Sequence, residues 1–379
     1  MREPIFEIHV ELDDCSNVKG EREEVNFLRF HGTAESPYFK GKILSSGVDC
    51  QKKTADGSFY LSARYVLEGE DCTGTPCKVF IENNGAAGED GIHTVPTIVT
   101  DSEVLAGLVD GELYGEVQGN GDNGVTIRIY VKPCVYTRES MWFTYEDKKI
   151  YGELYRPEKE GPHPLVIMSH GFNGSSIAMR PEAECVAKRG VAVFCYDFCS
   201  GGVNIKSSGV TTDMTIPSEQ EDLKQVVKEI RKFPWVRQDK VYLFGASQGG
   251  FVTGLTAPEI DDIAGVFLEF PAFCIPNDWK NMRWEYVDDQ INCMGVRLGK
   301  CFRDTLPDYD VFEKAAGYQG PATIFHGDAD ALVNLSYSER LKEAYKQGQL
   351  IVFPGEGHGF GDSYLEAMAG VCTHRMKVK

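Results

Sequence analysis

The chain has 379 residues, of which 42% are hydrophobic and 25% are charged, and its formal net charge is −18 at pH 7. This length exceeds that of one ordinary domain, and the composition is typical of a globular protein that buries a core. The negative charge argues against nucleic acid or an anionic membrane as a partner, because phosphate groups would be repelled. No apolar run is long enough to cross a bilayer, and residues 1–7 carry charges where a signal peptide needs a hydrophobic segment. We therefore expect a cytoplasmic protein.

The first third of the chain has the pattern of β-structure without helices. Short runs rich in β-branched and aromatic residues are separated by turn clusters such as KTADGS and GNGDNG. The runs are FLRFHG, GKILSSGV, FYLSARYVLEG, CKVFIENNG and GVTIRIYVKP. Strands at this spacing predict a small antiparallel barrel or sandwich over residues 1–133.

The pattern changes after Pro133 and the polar stretch YTRES. The segment WFTYEDKKIYGELYRP predicts a hairpin, and beyond it apolar strands alternate with helical segments. The predicted strands are HPLVIMSHG, VAVFCYDF, KVYLFGAS, IAGVFLEF, PATIFHGD and QLIVFPGE. Strands that are apolar throughout are typical of a parallel sheet covered by helices on both faces. We therefore predict a second, α/β domain over residues 138–379.

The twelve cysteines do not form an obvious metal or redox motif. No pair has C-x-x-C spacing, and several lie within apolar runs. Cys72 with Cys77, or Cys195 with Cys199, would in principle ligate a metal. We interpret most of the cysteines as reduced, partly buried small hydrophobic residues, and we predict neither a metal nor an organic cofactor.

One glycine-rich turn predicts a nucleophile. The sequence Gly245-Ala-Ser247-Gln-Gly249 follows the apolar run KVYLF and precedes a segment that can start a helix. The G-x-S-x-G pattern is weak alone, but a strand–turn–helix context is that of a sharp elbow, where glycines avoid a clash and the serine hydroxyl is raised above the sheet. The alternative is a serine in an ordinary structural turn.

A serine hydroxyl needs a base to take its proton and an acid to orient that base. The strand TIFHGDADALV ends with Asp328 and Asp330, and IVFPGEGHGFG ends with His358 in the loop after the last predicted strand. We predict His358 as the base. His170, in the earlier loop MSHGFNGSS, is expected to shape that loop.

These motifs give residues from about 140 to 379 a resemblance to the serine α/β-hydrolase superfamily. The stretches that carry it are SHGFNGSS, YDFCSGGVNIKSSGVTTDMT, GASQGG, FPAFCIPND, HGDADALV and GEGHGF. Within the superfamily, the chain most resembles bacterial cinnamoyl and feruloyl esterases and their carboxylesterase relatives. The resemblance implies a mostly parallel sheet flanked by helices. It also implies Asp330 as the acid, three residues after the glycine of the His-Gly pair, with Asp328 as a turn residue.

The resemblance also implies an oxyanion hole made of two backbone N–H groups. One belongs to Gln248, the residue after the nucleophile, and the other to Phe172 in the loop after the first long parallel strand.

The N-terminal part is similar to a small β-barrel domain family of unknown function. The similarity covers about residues 5–132, through HGTAESPYFKGKILSSGVDCQ, LSARYVLEG, VFIENNG, PTIVTDS and GVTIRIYV. Five polar residues lie on or beside its predicted strands, namely His31, Asp49, Arg64, Glu82 and Asn83. They would line a barrel mouth or lie on solvated strand faces, and we favour the second interpretation.

An insertion of about residues 274–318 separates two predicted strands of the α/β domain. Its length exceeds that of a simple crossover, and we predict a lid that shapes the substrate pocket. The candidate substrate-binding residues are Asp278, Trp279, Trp284, Tyr286 and Tyr309. The alternative is that these aromatic residues only pack the lid onto the core.

The sequence therefore predicts a serine carboxylic-ester hydrolase whose partner is a small-molecule ester of hydroxycinnamoyl or short-chain acyl type. It is compatible with a homo-oligomer. Two alternatives stay open on the same fold, an acyl-CoA thioesterase or acyltransferase and a serine peptidase. A third, of another class, is a non-catalytic binding protein that retains the fold.

Overall fold

The computed structural model describes residues 3–88, 91–121, 124–281 and 285–377. The chain divides into two compact units, which we call the barrel unit (Met1–Pro133 with Asp362–Lys379) and the α/β unit (Cys134–Gly361). Among the helices of the described ranges, none is both long enough and apolar enough to span a membrane.

The barrel unit is built from antiparallel strands and one short helix. The strands are β1 (Phe6–Lys19), β2 (Glu23–Glu35), β3 (Phe39–Ile43), β4 (Gly47–Thr54), β5 (Phe59–Asp71), β6 (Pro76–Gly88), β7 (Gly91–Thr100), β8 (Leu113–Gly119) and β9 (Gly124–Val131). The helix α1 (Glu103–Leu108) lies between β7 and β8, and the side chain of Ser102 caps its N-terminus by accepting a hydrogen bond from the backbone N–H of Leu105.

The sheet of this unit closes on itself. Its order is β1-β9-β8-β7-β6-β5-β3-β2-β4, and β1 also pairs with β2 while β5 pairs with β4. Strands β3 and β4 act as one interrupted strand between β2 and β5. Along β5, Leu61, Ala63, Tyr65 and Leu67 are buried and alternate with more exposed residues. Side chains with this period fill the interior, so the prediction of an antiparallel barrel is confirmed.

The α/β unit contains a mostly parallel sheet. Its strands are β10 (Tyr136–Tyr145), β11 (Lys148–Pro157), β12 (His163–Ser169), β13 (Ala192–Tyr196), β14 (Val236–Ala246), β15 (Gly265–Glu269), β18 (Pro321–Gly327) and β19 (Gln347–Phe353). The order is β10-β11-β13-β12-β14-β15-β18-β19. The predicted hairpin is β10–β11, which joins the sheet antiparallel, and the strands from β13 to β19 in that order are parallel. The predicted α/β architecture is confirmed.

Helices and a small hairpin complete the α/β unit. The helices are α2 (Arg180–Ala187), α3 (Ile216–Ile230), α4 (Gln248–Thr256), α5 (Ile275–Asn281), α6 (Lys300–Asp304), α7 (Val311–Ala316) and α8 (Leu335–Ala344). Helix α3 starts with a capping box between Thr215 and Ser218. The predicted lid segment contains α5, α6, α7 and the hairpin of β16 (Gln290–Cys293) and β17 (Val296–Gly299).

The last helix, α9 (Asp362–Lys377), groups with the barrel unit, so the α/β domain predicted over residues 138–379 ends earlier, at Gly361. It packs against α1 at a close approach of two glycines. A Cβ on Gly107 would lie 2.5 Å from the carbonyl carbon of Gly370, so neither residue has room for a side chain. The guanidinium of Arg375 forms an ion pair with Glu103 at the edge of this contact.

Candidate active site

Ser247 occupies a sharp turn between β14 and α4. Its backbone has φ 53° and ψ −119°, a conformation that is rare for a non-glycine residue and is found where the surrounding structure imposes it. The N–H of Ser247 donates to the carbonyl of Glu269 at 2.9 Å, and its carbonyl accepts from the N–H of Ala272 at 2.9 Å. These bonds hold the serine above the ends of β14 and β15.

Two glycines make this turn sterically possible. A Cβ on Gly245 would lie 2.3 Å from the carbonyl oxygen of Gly249, and a Cβ on Gly249 would lie 2.3 Å from that of Ser169. Both contacts are with backbone atoms, which cannot move aside. The G-x-S-x-G spacing is therefore a packing requirement of the strand–turn–helix junction.

The structure brings Ser247, His358 and Asp330 together. The Ser247 hydroxyl lies 2.9 Å from Nε2 of His358, and Nδ1 of His358 lies 2.7 Å from Oδ2 of Asp330. In the arrangement that satisfies all three groups, Nδ1–H donates to the carboxylate and Nε2 accepts from the serine hydroxyl. This is the geometry in which an imidazole takes the proton of an attacking serine.

The two candidate acids have different surroundings. Oδ1 of Asp330 accepts from the N–H groups of Leu332 and Val333 at 2.8 and 3.0 Å, and the Asp330 side chain is fully buried. Asp328 is exposed, and its Oδ1 accepts from the N–H of Gly355 at 2.7 Å. The structure therefore puts Asp330 against the imidazole and Asp328 in a turn.

Two further residues, which the sequence analysis did not single out, hold the imidazole and its acid. The ring of Phe270 lies 4.3 Å from that of His358, and Phe270 has a strained φ of 34°. The buried ring of His326 lies 3.4 Å from Asp330 Oδ2 through Nε2, which also contacts the carbonyl of Val333 at 2.9 Å. Phe270 begins the stretch FPAFCIPND, but nothing in that stretch marks it as a neighbour of the imidazole.

His170 has the contacts of a structural residue. It is buried, its Nε2 accepts from the N–H of Phe198 at 3.1 Å, and its Nδ1 lies 2.8 Å from the carbonyl of Gly171. Burial lowers the pKa of His170, so the neutral ring donates through Nδ1.

The two predicted oxyanion donors both lie beside Ser247. Gln248 is the first residue of α4, where backbone N–H groups have no partner within the helix. The loop that carries Phe172 passes close by, since a Cβ on Gly171 would lie 3.1 Å from the Cβ of Ser247. The side chain of Gln248 is directed elsewhere, because its Nε2 donates to both carboxyl oxygens of Glu219 at 2.9 Å.

A cavity of about 360 Å³ opens at Ser247, with Phe172, Gln248 and His358 also in its wall. Most of the wall is apolar. Trp279 of the predicted lid lines it and packs against the rings of Phe172 and Phe302 at 5.6 and 4.8 Å. Met294, at the turn of the β16–β17 hairpin, also lines it and was missed by the sequence analysis.

The other predicted substrate-binding residues lie elsewhere. Asp278, Tyr286 and Tyr309 are not among the described residues that line this cavity, and Tyr286 packs against the core. Trp284 lies outside the described residues.

Two glutamates that the sequence analysis did not predict also line the cavity. Glu269, at the end of β15, is 1% exposed, and Glu182 lies in the first turn of α2. Burial raises the pKa of Glu182 to about 7, and burial together with the nearby Glu182 carboxyl raises the pKa of Glu269 well above its usual range. In the sequence, Glu269 is the single acidic residue of the apolar strand VFLEF, and this pattern could have indicated an unusual buried carboxyl.

Comparison with known proteins agrees with this architecture. Residues 2–131 match the family model described as a protein of unknown function (DUF3237), and residues 160–309 match the model described as serine aminopeptidase, S33. Among solved structures, the chain is similar to the α/β hydrolase GrgF from Penicillium sp. sh18, with 19% identity, 59% of this chain and 91% of that chain covered, and a TM-score of 0.50. The α/β unit has the α/β-hydrolase fold.

Two other proteins are also similar to this chain. Est1E from Butyrivibrio proteoclasticus, solved with bound ferulic acid, is 24% identical, with 63% of this chain and 100% of that chain covered and a TM-score of 0.58. Esterase FrsA of Vibrio cholerae serotype O1 is 29% identical over 165 residues, which are 42% of this chain. The chain spans only 37% of the length of that relative.

Proposed function

We propose that the chain is a serine carboxylic-ester hydrolase. The observation that carries the proposal is the chain of hydrogen bonds from the Ser247 hydroxyl through His358 to the buried Asp330, inside a cavity. A serine with an ordinary structural role has no need of such partners or of a strained backbone.

In the proposed reaction, Oγ of Ser247 attacks the ester carbonyl carbon while Nε2 of His358 takes the hydroxyl proton. Asp330 holds the imidazole and stabilises its charge. The backbone N–H groups of Gln248 and Phe172 stabilise the oxyanion. The alcohol leaves with the proton from His358, and a water, activated by the same ring, releases the acid from Ser247.

For the substrate we propose small aromatic esters of hydroxycinnamoyl type or short-chain acyl esters. The cavity has the size for such a ligand, and Phe172, Phe270 and Trp279 supply aromatic walls for a planar acyl group. The similarity to a structure with bound ferulic acid supports the same class.

The test is a panel of p-nitrophenyl acetate, p-nitrophenyl butyrate, methyl ferulate and chlorogenate, assayed with the full chain and with Ser247→Ala. We expect turnover that Ser247→Ala lowers by about 10⁴-fold or more. Turnover that survives the substitution would contradict the role of Ser247.

A peptidase is the second candidate, favoured by the match of residues 160–309 to a serine aminopeptidase model. Peptide p-nitroanilides in the same assay distinguish a peptidase from an esterase. If the chain is an esterase, kcat/KM for these peptides lies far below that for the esters.

A further inference from the structure

Glu182 and Glu269 both line the Ser247 cavity, and the proposed reaction uses neither carboxyl. They come from different elements, the first turn of α2 and the end of β15. A buried carboxyl costs free energy unless a partner satisfies it, so such a pair is not explained by packing.

Each carboxyl has one oxygen that lacks a partner within the described part of the chain. The Oε2 atoms of Glu182 and Glu269 are buried without a hydrogen-bond partner there. Burial and the Glu182 carboxyl raise the pKa of Glu269, and burial raises the pKa of Glu182. No cationic side chain of the described residues lowers the pKa of either carboxyl. Arg180, two residues before Glu182, directs its guanidinium to Glu153 at 3.6 Å instead.

The position of Glu269 fixes where a ligand group would have to be. Glu269 pairs with Ala246 across the sheet, and its carbonyl accepts the N–H of Ser247 at 2.9 Å. Glu269 and Ser247 both line the cavity. A substrate group that reaches the pair would belong to a molecule held in the same cavity as Ser247.

A ligand that ionises both carboxyls must supply several donors and positive charge. A protonated amine offers both, whereas a hydroxyl offers one donor and no charge. The net charge of −18 also favours approach of a cation. We propose that Glu182 and Glu269 form a binding subsite for the protonated amine of a substrate or ligand that occupies the Ser247 cavity. As a statement about substrate, this deepens the proposed ester hydrolysis and rests on it.

Other titratable groups lie around the pair. They are His358 and Cys274 in the cavity wall, Cys195 on β13, Asp197 just after β13 and Glu153 on β11. Burial keeps the thiols of Cys195 and Cys274 neutral by raising their pKa. Binding of an amine should ionise the carboxyl pair and release protons, so affinity should rise from pH 6 to 8.5, where an alkylamine with a pKa of about 10 stays charged.

The experiment is calorimetric titration of the full-length Ser247→Ala chain with 3-phenylpropylammonium and, as its neutral counterpart, 3-phenylpropan-1-ol. Titrations in phosphate and in Tris measure proton release. We expect the ammonium ligand to bind about tenfold or more tightly than the alcohol and to release protons at pH 7. Glu269→Gln and Glu182→Gln, each checked for folding by thermal unfolding, should remove this preference, and Glu184→Gln on the same helix should keep it.

Equal affinity for amine and alcohol, or a preference that survives both Glu→Gln substitutions, would overturn the subsite. Because no turnover is needed, the result is independent of the ester assay. Glutamate-dependent amine binding in a chain that hydrolyses no ester would support the subsite and refute the esterase. Ester turnover without amine preference would do the reverse.

Discussion

The two units use the same polar residue types in different ways. In the barrel unit, charged residues pair across neighbouring antiparallel strands on exposed faces, as Arg64 does with Glu82 at 2.7 Å. In the α/β unit, Ser247, Asp330 and His358 follow β14, β18 and β19, where parallel strands end at one edge. Residues at the ends of parallel strands converge on one point, whereas residues along antiparallel faces are spread out. Position in the sheet, more than residue type, separates reactive from structural candidates.

The largest effect on ester turnover is expected from substitution of Asp330. Asp330→Asn should lower kcat for the preferred ester by about 10³–10⁴-fold, because an amide cannot stabilise the imidazolium and favours the wrong tautomer. Steady-state kinetics measures the loss. Asp328→Asn is the matched control in the same loop and should keep kcat within a few-fold. Similar losses in both variants would mean that the loop, and not the Asp330–His358 bond, is what matters.

A second effect concerns Glu219 in the α/β unit, which should make the free energy of unfolding depend on pH. Burial raises the pKa of Glu219 from 4.5 to about 8. The folded state therefore holds this proton between pH 5 and 8 while the unfolded state has lost it, so the free energy of unfolding falls as pH rises through this range.

Glu219→Gln removes this contribution. Denaturant unfolding at pH 5 and pH 8 should show that the variant loses less stability than the wild type, by on the order of a few kcal/mol. Glu221→Gln, on the same helix but only partly buried, should behave as the wild type. An unchanged pH slope in Glu219→Gln would show that the carboxyl is ionised and compensated in the fold.

In the barrel unit, the largest effect is expected where α1 and α9 meet. Gly107→Ala would place a Cβ 2.5 Å from the backbone of Gly370 and should destabilise the protein by about 1–3 kcal/mol. Chemical unfolding measures it, with Gly119→Ala as a control at a position with open space. A gain of about 0.5–1 kcal/mol, as for an unhindered helical glycine, would contradict the close approach.

The smallest effect is expected at the exposed Arg64–Glu82 pair. Arg64→Ala should leave both the unfolding midpoint and ester turnover unchanged within error, because water and salt screen such a pair. Thermal unfolding and the ester assay measure the two quantities. Loss of turnover in this variant would break the contrast between the units, since it would give the barrel face a functional role.

Local sequence signals were sufficient for Ser247, Asp330 and His358 as candidates, because each follows an apolar strand in a glycine-containing turn. Glu182 and Phe270 carry no such signal, since their importance comes from elements that meet only in the fold. Of the aromatic residues predicted in the lid, Trp279 lines the cavity, Tyr286 packs on the core and Tyr309 is 48% exposed.

Apolar runs in the sequence predicted the parallel strands of the α/β unit, and runs separated by turn clusters predicted much of the barrel unit. Strands β1, β7 and β8 have no counterpart among the strands expected from the residue pattern. Strand β7 is largely exposed and contains Pro96, which weakens its strand pattern. Helix α9 could not be assigned to the barrel unit from sequence, because its contact with α1 joins Gly107 and Gly370, which are far apart in the chain.

The most direct test of the central claim is labelling of the intact protein with a fluorophosphonate, followed by mass spectrometry of the modified peptide. If Ser247 is activated by His358 and Asp330, we expect stoichiometric modification of Ser247 that His358→Ala abolishes. If Ser247 stays unmodified, or if labelling continues without His358, the hydrogen-bonded trio is not a catalytic triad.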